Sequence, residues 1–275
     1  MSRRGAGLVW TIAGAAVIGY SLLPVAWIVA LSLKGGDDLR AGTFWPGAAT
    51  LESYRIVLAS PLFTRALRNS VGISAIATAL SIALAAPAAW AIARLEFPGR
   101  RLVLGTALAI AAFPVVSIVG PLFDLWRTVG LYDTWAGLVL PDLSFSLPLA
   151  IWVLAAFFRE LPREIEEAAA VDGAGGWRTF REVTLPLAAP GVFTAAILTF
   201  LAAWNDFVLG ISLTSTDRAR PVPAALAFFG GASEFQHPAS AISAAAVIVT
   251  VPVIALVLVF QRRIVAGLTA GAVKG

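Results

Sequence analysis

The chain has 275 residues, of which 59% are hydrophobic and only 13% charged. So little charge cannot keep the surface of a soluble domain of this length wetted, which excludes a water-soluble globule. The net charge of +4 does not signal nucleic acid, because the basic residues sit between apolar runs and form no basic face, and the absence of cysteine excludes disulfides, thiol nucleophiles and cysteine metal sites.

In chain order, six runs are apolar over the roughly 20 residues needed to cross a hydrocarbon core. They lie near 8–33, 71–93, 102–122, 135–158, 188–213 and 239–260. The first follows Met1-Ser2-Arg3-Arg4 and is too long for a signal-peptide core, so it reads as an uncleaved span. Pro24, Pro87, Pro114 and Pro252 fall inside spans, where neighbouring helices can satisfy the freed carbonyls. The fourth run is the least clean, holding Pro141, Asp142 and Pro148. Small residues such as Ala83, Ala85 and Ala86 in the second run, and Ala244 to Ala246 in the sixth, favour close helix packing inside a bundle. The predicted fold class is an all-α integral membrane protein of six transmembrane helices.

Lysine and arginine in the short flanks set the orientation. The pairs Arg3/Arg4, Arg100/Arg101 and Arg262/Arg263 all fall on one side if the N-terminus is inside, which predicts both termini in the cytoplasm. The loops 34–70 and 214–238 are then outside, the second carrying the lone His237, which reads as a solvated residue on a loop able to meet an outer partner.

The inner loop 159–187 is the charged centre of the chain. Pro162 suits a helix start, and Glu164, Glu166 and Glu167 follow where the helix dipole favours negative charge. Ala168, Ala169 and Ala170 are strong helix formers with little bulk, and Asp172-Gly173 offers a left-handed stop. A second short helix is expected near 177–183, with Trp177, Phe180 and Val183 in one apolar stripe and Pro186 ending it. The three glutamates do not read as an acid/base set, because they share a cytoplasmic helix face with no pocket and no metal-binding histidine. No catalytic residue and no metal site is expected in this chain. It also lacks a Gly-x4-Gly-Lys-Ser/Thr phosphate loop, so it cannot itself be an ATPase.

Glu167-Ala168-Ala169, three residues, Gly173, nine residues, Val183, one residue and Leu185-Pro186 resemble the EAA loop of binding-protein-dependent ABC importer permeases, with valine where the family usually has isoleucine. Arg94-Leu95-Glu96-Phe97-Pro98-Gly99, Ala203-Trp204-Asn205-Asp206 and the tail from Gln261 are similar to the MalG-type sugar permeases, and several stretches resemble the permeases of trehalose importers. The resemblance implies a type I ABC importer permease fold. It implies an N-terminal helix and outer loop over 1–65, a transmembrane core over 66–261 with a coupling helix at about 163–173, and a cytoplasmic tail over 262–275. It implies Glu164, Glu167, Ala168, Ala169, Asp172, Gly173, Leu185 and Pro186 as ATPase-coupling residues, and Arg262, Arg263 and Gly267 as tail contacts. It implies as partners a sister permease, two ATP-binding subunits that hold ATP and Mg, and an extracytoplasmic sugar-binding lipoprotein, with this chain itself in the plasma (inner) membrane. The solute it points to is trehalose or another disaccharide.

A charged residue deep in a span costs about 2.5–3.5 kcal/mol, so it should face the bundle or a wet cavity. Asp206 is such a residue, with Trp204 and Asn205 beside it, and a solute path and a helix–helix clamp are both open readings. Asp142, with Ser144 and Ser146, lies toward the outer half of the fourth run and either lines the path or caps a proline-broken helix end. An ion-coupled secondary sugar transporter is the alternative, needing paired midplane carboxylates and repeated halves. A membrane enzyme would need a nucleophile–base set that the sequence does not present.

Overall fold

A computed structural model describes the backbone of residues 3–229 and 238–270, and side chains over 10–260 apart from 37, 101 and 230–238. The helices run α1 (Arg3–Ser32), α2 (Gly36–Ala41), α3 (Glu52–Ala59), α4 (Pro61–Arg94), α5 (Arg100–Ala111), α6 (Val115–Val129) and α7 (Trp135–Glu160). They continue with α8 (Arg163–Val171), α9 (Gly176–Thr179), a wide turn over Phe180–Thr184, α10 (Leu185–Leu187), α11 (Ala189–Trp204), α12 (Val208–Ser212), α13 (Val222–Ala227) and α14 (Pro238–Ala270). Among the described residues there is no strand.

Five helices are long and apolar enough to span a membrane: Trp10–Ser32, Pro61–Arg94, Trp135–Glu160, Ala189–Ser212 and Ala239–Phe260. The third predicted run differs from expectation. It is two helices, Leu102–Ala111 and Val115–Val129, bent by 84°, and makes a sixth span only as a pair. Pro114 explains the break: its ring has no N–H to donate and crowds the carbonyl four residues back. It adopts an extended ψ of 117° and becomes the N-cap of α6.

The fourth run, by contrast, is one continuous helix despite Pro141 and Pro148. Thr134 caps its start, accepting from the Gly137 N–H at 3.1 Å. Pro141 cannot donate to the Gly137 carbonyl, and the Trp126 indole donates there instead at 2.7 Å.

The chain divides into two compact units, Met1–Thr64 with Leu226–Pro252 and Arg65–Ala225 with Val253–Gly275. In the first, Lys34 is 2% exposed. Its ammonium donates to the Thr43 carbonyl and lies 5.2 Å from the Trp27 ring centroid, while Trp27 meets Phe44 at 5.0 Å. Ser32 and Tyr54 share a 2.7 Å hydrogen bond.

The second unit is built on α4, α7 and α11. Ala85, Ala86, Ala89 and Ala93 of α4 share a buried cluster with Ala150, Leu154, Ala155 and Phe158 of α7 and Ala195 of α11. Without a hydrophobic drive between lipid-embedded helices, such small residues supply close van der Waals contact. Ser81 and Ser146 meet across α4 and α7 with their oxygens 2.6 Å apart. Gly191 lies so close to Phe157 that a Cβ there would sit 2.4 Å from the ring.

Candidate coupling site and solute path

The candidate coupling segment is assembled from four short pieces of chain. Pro162 is extended, with ψ 133°, and caps α8; Glu164 and Glu166 occupy the first turn, where unpaired N–H groups favour carboxylates. The other end closes at Gly173, whose φ of 81° only glycine adopts at little cost. The Gly173 N–H reaches the Ala170 carbonyl at 3.0 Å, and the Ala174 N–H reaches Ala169 at 2.9 Å. These two bonds form a Schellman stop that satisfies carbonyls the helix would otherwise leave bare.

One face of α8 is open. Glu164, Glu167, Ala168, Asp172 and Gly173 are exposed, and Ala169 is half-buried. Val171 is 88% exposed and Trp177 63% exposed, so apolar side chains flank the acidic ones. The opposite face is clamped. The Arg94 Nε donates to Glu166 at 3.0 Å, its second nitrogen donates to the Leu161 carbonyl at 2.8 Å, and the Thr184 hydroxyl donates to the same Glu166 oxygen at 2.9 Å. One guanidinium thus ties the end of α4, the exit of α7 and α8 together, and Thr184 adds the wide turn. The sequence marks Arg94 and Glu166 separately, without their pairing, and does not mark Thr184. Glu166 was one of three similar glutamates, and Arg94 lies 72 positions from it.

The expected helix over 177–183 is longer than predicted and is not ended by Pro186: α9, the wide turn and α10 follow one another without a break from Gly176 to Leu187. After α9 the Leu185 N–H reaches back five residues to Phe180, a π turn. The wider turn accommodates Pro186, which has no N–H and would crowd a regular ladder. The predicted stripe also splits: Phe180 is 3% exposed, packed near Trp90, Phe158 and Trp177, whereas Trp177 faces outward. Leu185 packs against the α4–α7–α11 cluster, so it anchors the segment from within, and Pro186 is exposed. Arg178 pairs with Glu182 at 2.9 Å on the exposed side; the hydrogen bond and then the charge of Glu182 hold its guanidinium further toward the protonated form.

The residues proposed for the solute path are not brought together as a lining. Asp142 is buried in mid α7 at 8% exposure; since α7 is unbroken there, it caps no helix end. Ser144 is exposed. Trp204 is 2% exposed and stacks on Phe200 at 5.5 Å, so its ring offers no face to a solute. Asn205 is exposed and donates back to Leu201 at 2.8 Å. Asp206 sits in the gap between α11 and α12 and accepts from the Leu209 and Gly210 N–H groups at 3.3 and 3.0 Å. It is a local backbone cap, a role that its depth in the apolar run did not reveal.

Near the start of α4, about 44 Å along the helix from Arg94 at 1.5 Å per residue, lies a cavity of about 650 Å³. Arg65, Arg68, Arg218 and Arg220 line it. Its frame is rigid: buried Asn69 donates to the Asp217 and Arg220 carbonyls and accepts from the Trp135 indole, all at 3.0 Å. Arg262, Arg263 and Gly267 fall on the last turns of α14, with side chains outside the described residues, and His237 lies outside them altogether. Among the described residues no group of His, Cys, Asp and Glu is arranged to hold a metal ion.

A multi-helix membrane bundle with an EAA-type helix presented at one end defines the permease part of an ABC transporter. Residues 80–269 match the model of the family described as binding-protein-dependent transport system inner membrane component, and the chain belongs to that family. It is 52% identical over 266 residues to the trehalose transport system permease protein SugB of Mycobacterium tuberculosis, covering 97% of each chain. It is 39% identical over 266 residues to the sulfoquinovosyl glycerol transport system permease protein SmoH of Agrobacterium fabrum, covering 96% of this chain and 93% of that one. The fold matches a crystal structure of a bacterial ABC transporter involved in import of the acidic polysaccharide alginate, with a TM-score of 0.82 at 23% identity over 95% of this chain and 98% of that one. The chain is therefore a multi-pass membrane protein and an ABC importer permease. The ion-coupled and enzymatic alternatives find no support in this family.

Proposed function

We propose that the chain carries a sugar, trehalose or another disaccharide, through the inner membrane as one of two permeases in an ATP-driven importer. An extracytoplasmic sugar-binding lipoprotein delivers the solute, and two partner subunits bind ATP with Mg and hydrolyse it. Both termini are cytoplasmic, which puts α8 inside and the arginine-lined cavity outside. Residues 66–261 form the transport core. The names of the relatives support a glycoside as solute.

One observation carries this reading. A nine-residue helix with an exposed acidic and alanine face is fixed at its base by Arg94 and Glu166. A short rod held this way passes a push on its open face into α4 and α7 as a rigid-body displacement. Closure of the ATP-binding pair would supply that push, through Glu164, Glu167, Ala168, Ala169, Asp172 and Gly173. The cavity near Arg65 suits acidic groups of the delivering protein.

The test is ATP-dependent uptake by proteoliposomes holding the whole complex. Trehalose and a panel of other disaccharides are loaded on the binding lipoprotein in turn. Uptake of a disaccharide that stops with vanadate and continues with an uncoupler supports the reading. Uptake that follows a proton or sodium gradient without ATP would overturn it.

A further inference from the structure

Close to the coupling helix lies a second, smaller hollow of about 360 Å³. Its walls are of two kinds. Arg100 at the start of α5, Arg159 near the end of α7 and Arg163 at the start of α8 supply three guanidiniums. Ile92 and Ala93 of α4 and Leu104 of α5 supply an apolar side. Among the described residues none of the three arginines pairs with a carboxylate, unlike Arg94 next door, which is committed to Glu166. Arg100 makes one long hydrogen bond, to the Leu95 carbonyl at 3.4 Å, which leaves most of its fork unused.

Three like charges converging on one hollow repel each other, and among the described residues no carboxylate pairs with them. The depth is informative too. Arg94, Arg100, Arg159 and Arg163 mark the level where the apolar spans end, which is where phosphate headgroups lie. Beyond Leu104 the surface of α5 stays apolar and open, with Leu108 37% and Ile110 52% exposed. A free inorganic anion would use the arginines and waste the apolar wall. The cavity near Arg65 is lined without aliphatic side chains and lacks this two-sided character.

We propose that this hollow binds the phosphate of an anionic phospholipid, with the guanidiniums on the phosphodiester and the acyl chains along Leu104 and the open face of α5. Arginine suits the role because its planar fork donates two parallel bonds to phosphate oxygens. Each basic side chain near a membrane surface adds to the hold on an anionic headgroup. The bound lipid would sit at the root of the coupling helix, touching α4, α5, α7 and α8 at once.

The experiment uses the whole importer complex in nanodiscs of phosphatidylcholine with and without phosphatidylglycerol. Native mass spectrometry after detergent washing counts retained phosphatidylglycerol in the parent complex, in Arg100→Gln/Arg159→Gln and in Leu104→Gln. The expected result is retained phosphatidylglycerol in the parent and a loss of about tenfold or more in the double arginine variant. Leu104→Gln should retain less lipid as well, Arg100→Lys/Arg159→Lys should keep a substantial part, and added inorganic phosphate should not displace the lipid. Equal retention in the parent and the double glutamine variant would overturn the proposal. So would displacement by inorganic phosphate at the same effectiveness, which would make this a site for the free anion. Loss of the ATP-binding subunits from the arginine variants with no change in retained lipid would likewise overturn it, in favour of a protein–protein contact.

Discussion

Arg94 and Glu166, far apart in the chain, meet at 3.0 Å with side chains only 6% and 18% exposed. The pair joins the last turn of a membrane helix to the exposed helix α8. Its removal should therefore cost both stability and coupling. Arg94→Ala leaves the Glu166 carboxylate with Thr184 alone in a poorly hydrated place, and a loss of about 2–4 kcal/mol is expected. Glu166→Gln should cost less, because the amide still accepts a hydrogen bond. Thermal unfolding of the purified complex, measured for both single variants and the double, gives the interaction term. Additive single effects would show that the two residues act independently.

At Gly173 the chain needs a positive φ. Gly173→Ala should cost about 1 kcal/mol and loosen the stop after α8 with uptake reduced but present. Gly173→Pro fixes φ near −65° and removes the N–H bonded to Ala170, so uptake should vanish while the chain stays inserted. Normal uptake by the proline variant, measured with radiolabelled sugar, would rule out this segment as the coupling element.

Glu167 is exposed and, among the described residues, forms no ion pair, so its charge is open to a partner. Glu167→Lys should leave the thermal midpoint of the isolated permease pair nearly unchanged, since exposed substitutions usually alter stability by about 0.5 kcal/mol or less. The same variant should abolish ATP-driven uptake. A variant that unfolds the permease, or one that transports normally, would contradict the assignment.

A side chain at position 191 meets the Phe157 ring at once, with the added Cβ 2.4 Å away. Gly191→Val should push α11 off α7 and destabilise the bundle by about 1–3 kcal/mol. Phe157→Ala in the same chain should return part of that loss by emptying the space. If the double variant melts no higher than Gly191→Val, the two helices are not separated by this contact.

Trp204 separates a packing role from a solute role. Buried against Phe200, it should act on stability: Trp204→Ala is expected to cost about 3–5 kcal/mol, and Trp204→Phe much less. The KM for sugar, measured on the fraction that remains folded, should stay the same in Trp204→Phe. A large KM change with an unchanged melting curve would return the ring to the solute path.

The parts legible in the sequence were those encoded locally. Apolar length marked the spans, and Glu167-Ala168-Ala169 with Gly173 marked the short helix α8 and its left-handed stop. Hydropathy averages over a window, so it registered residues 102–122 as apolar without weighing the single Pro114 that splits them. The Trp126 bond to Gly137, which lets α7 run through Pro141, joins two helices and leaves no trace in either. Arg94 and Glu166 were invisible as a pair for the same reason. Asp206 was read by depth alone, and depth does not distinguish an acid that lines a path from one that caps the next helix.

The hydroxyls of Ser81 and Ser146, 2.6 Å apart in a dry interior, have a mechanical consequence. Drawing α4 away from α7 would strand both with no water to replace the lost bond, at about 1–3 kcal/mol each. The bond therefore favours a change of state in which the two helices move together. Flexing has to be sought where the backbone is already interrupted, as it is between Ala111 and Val115.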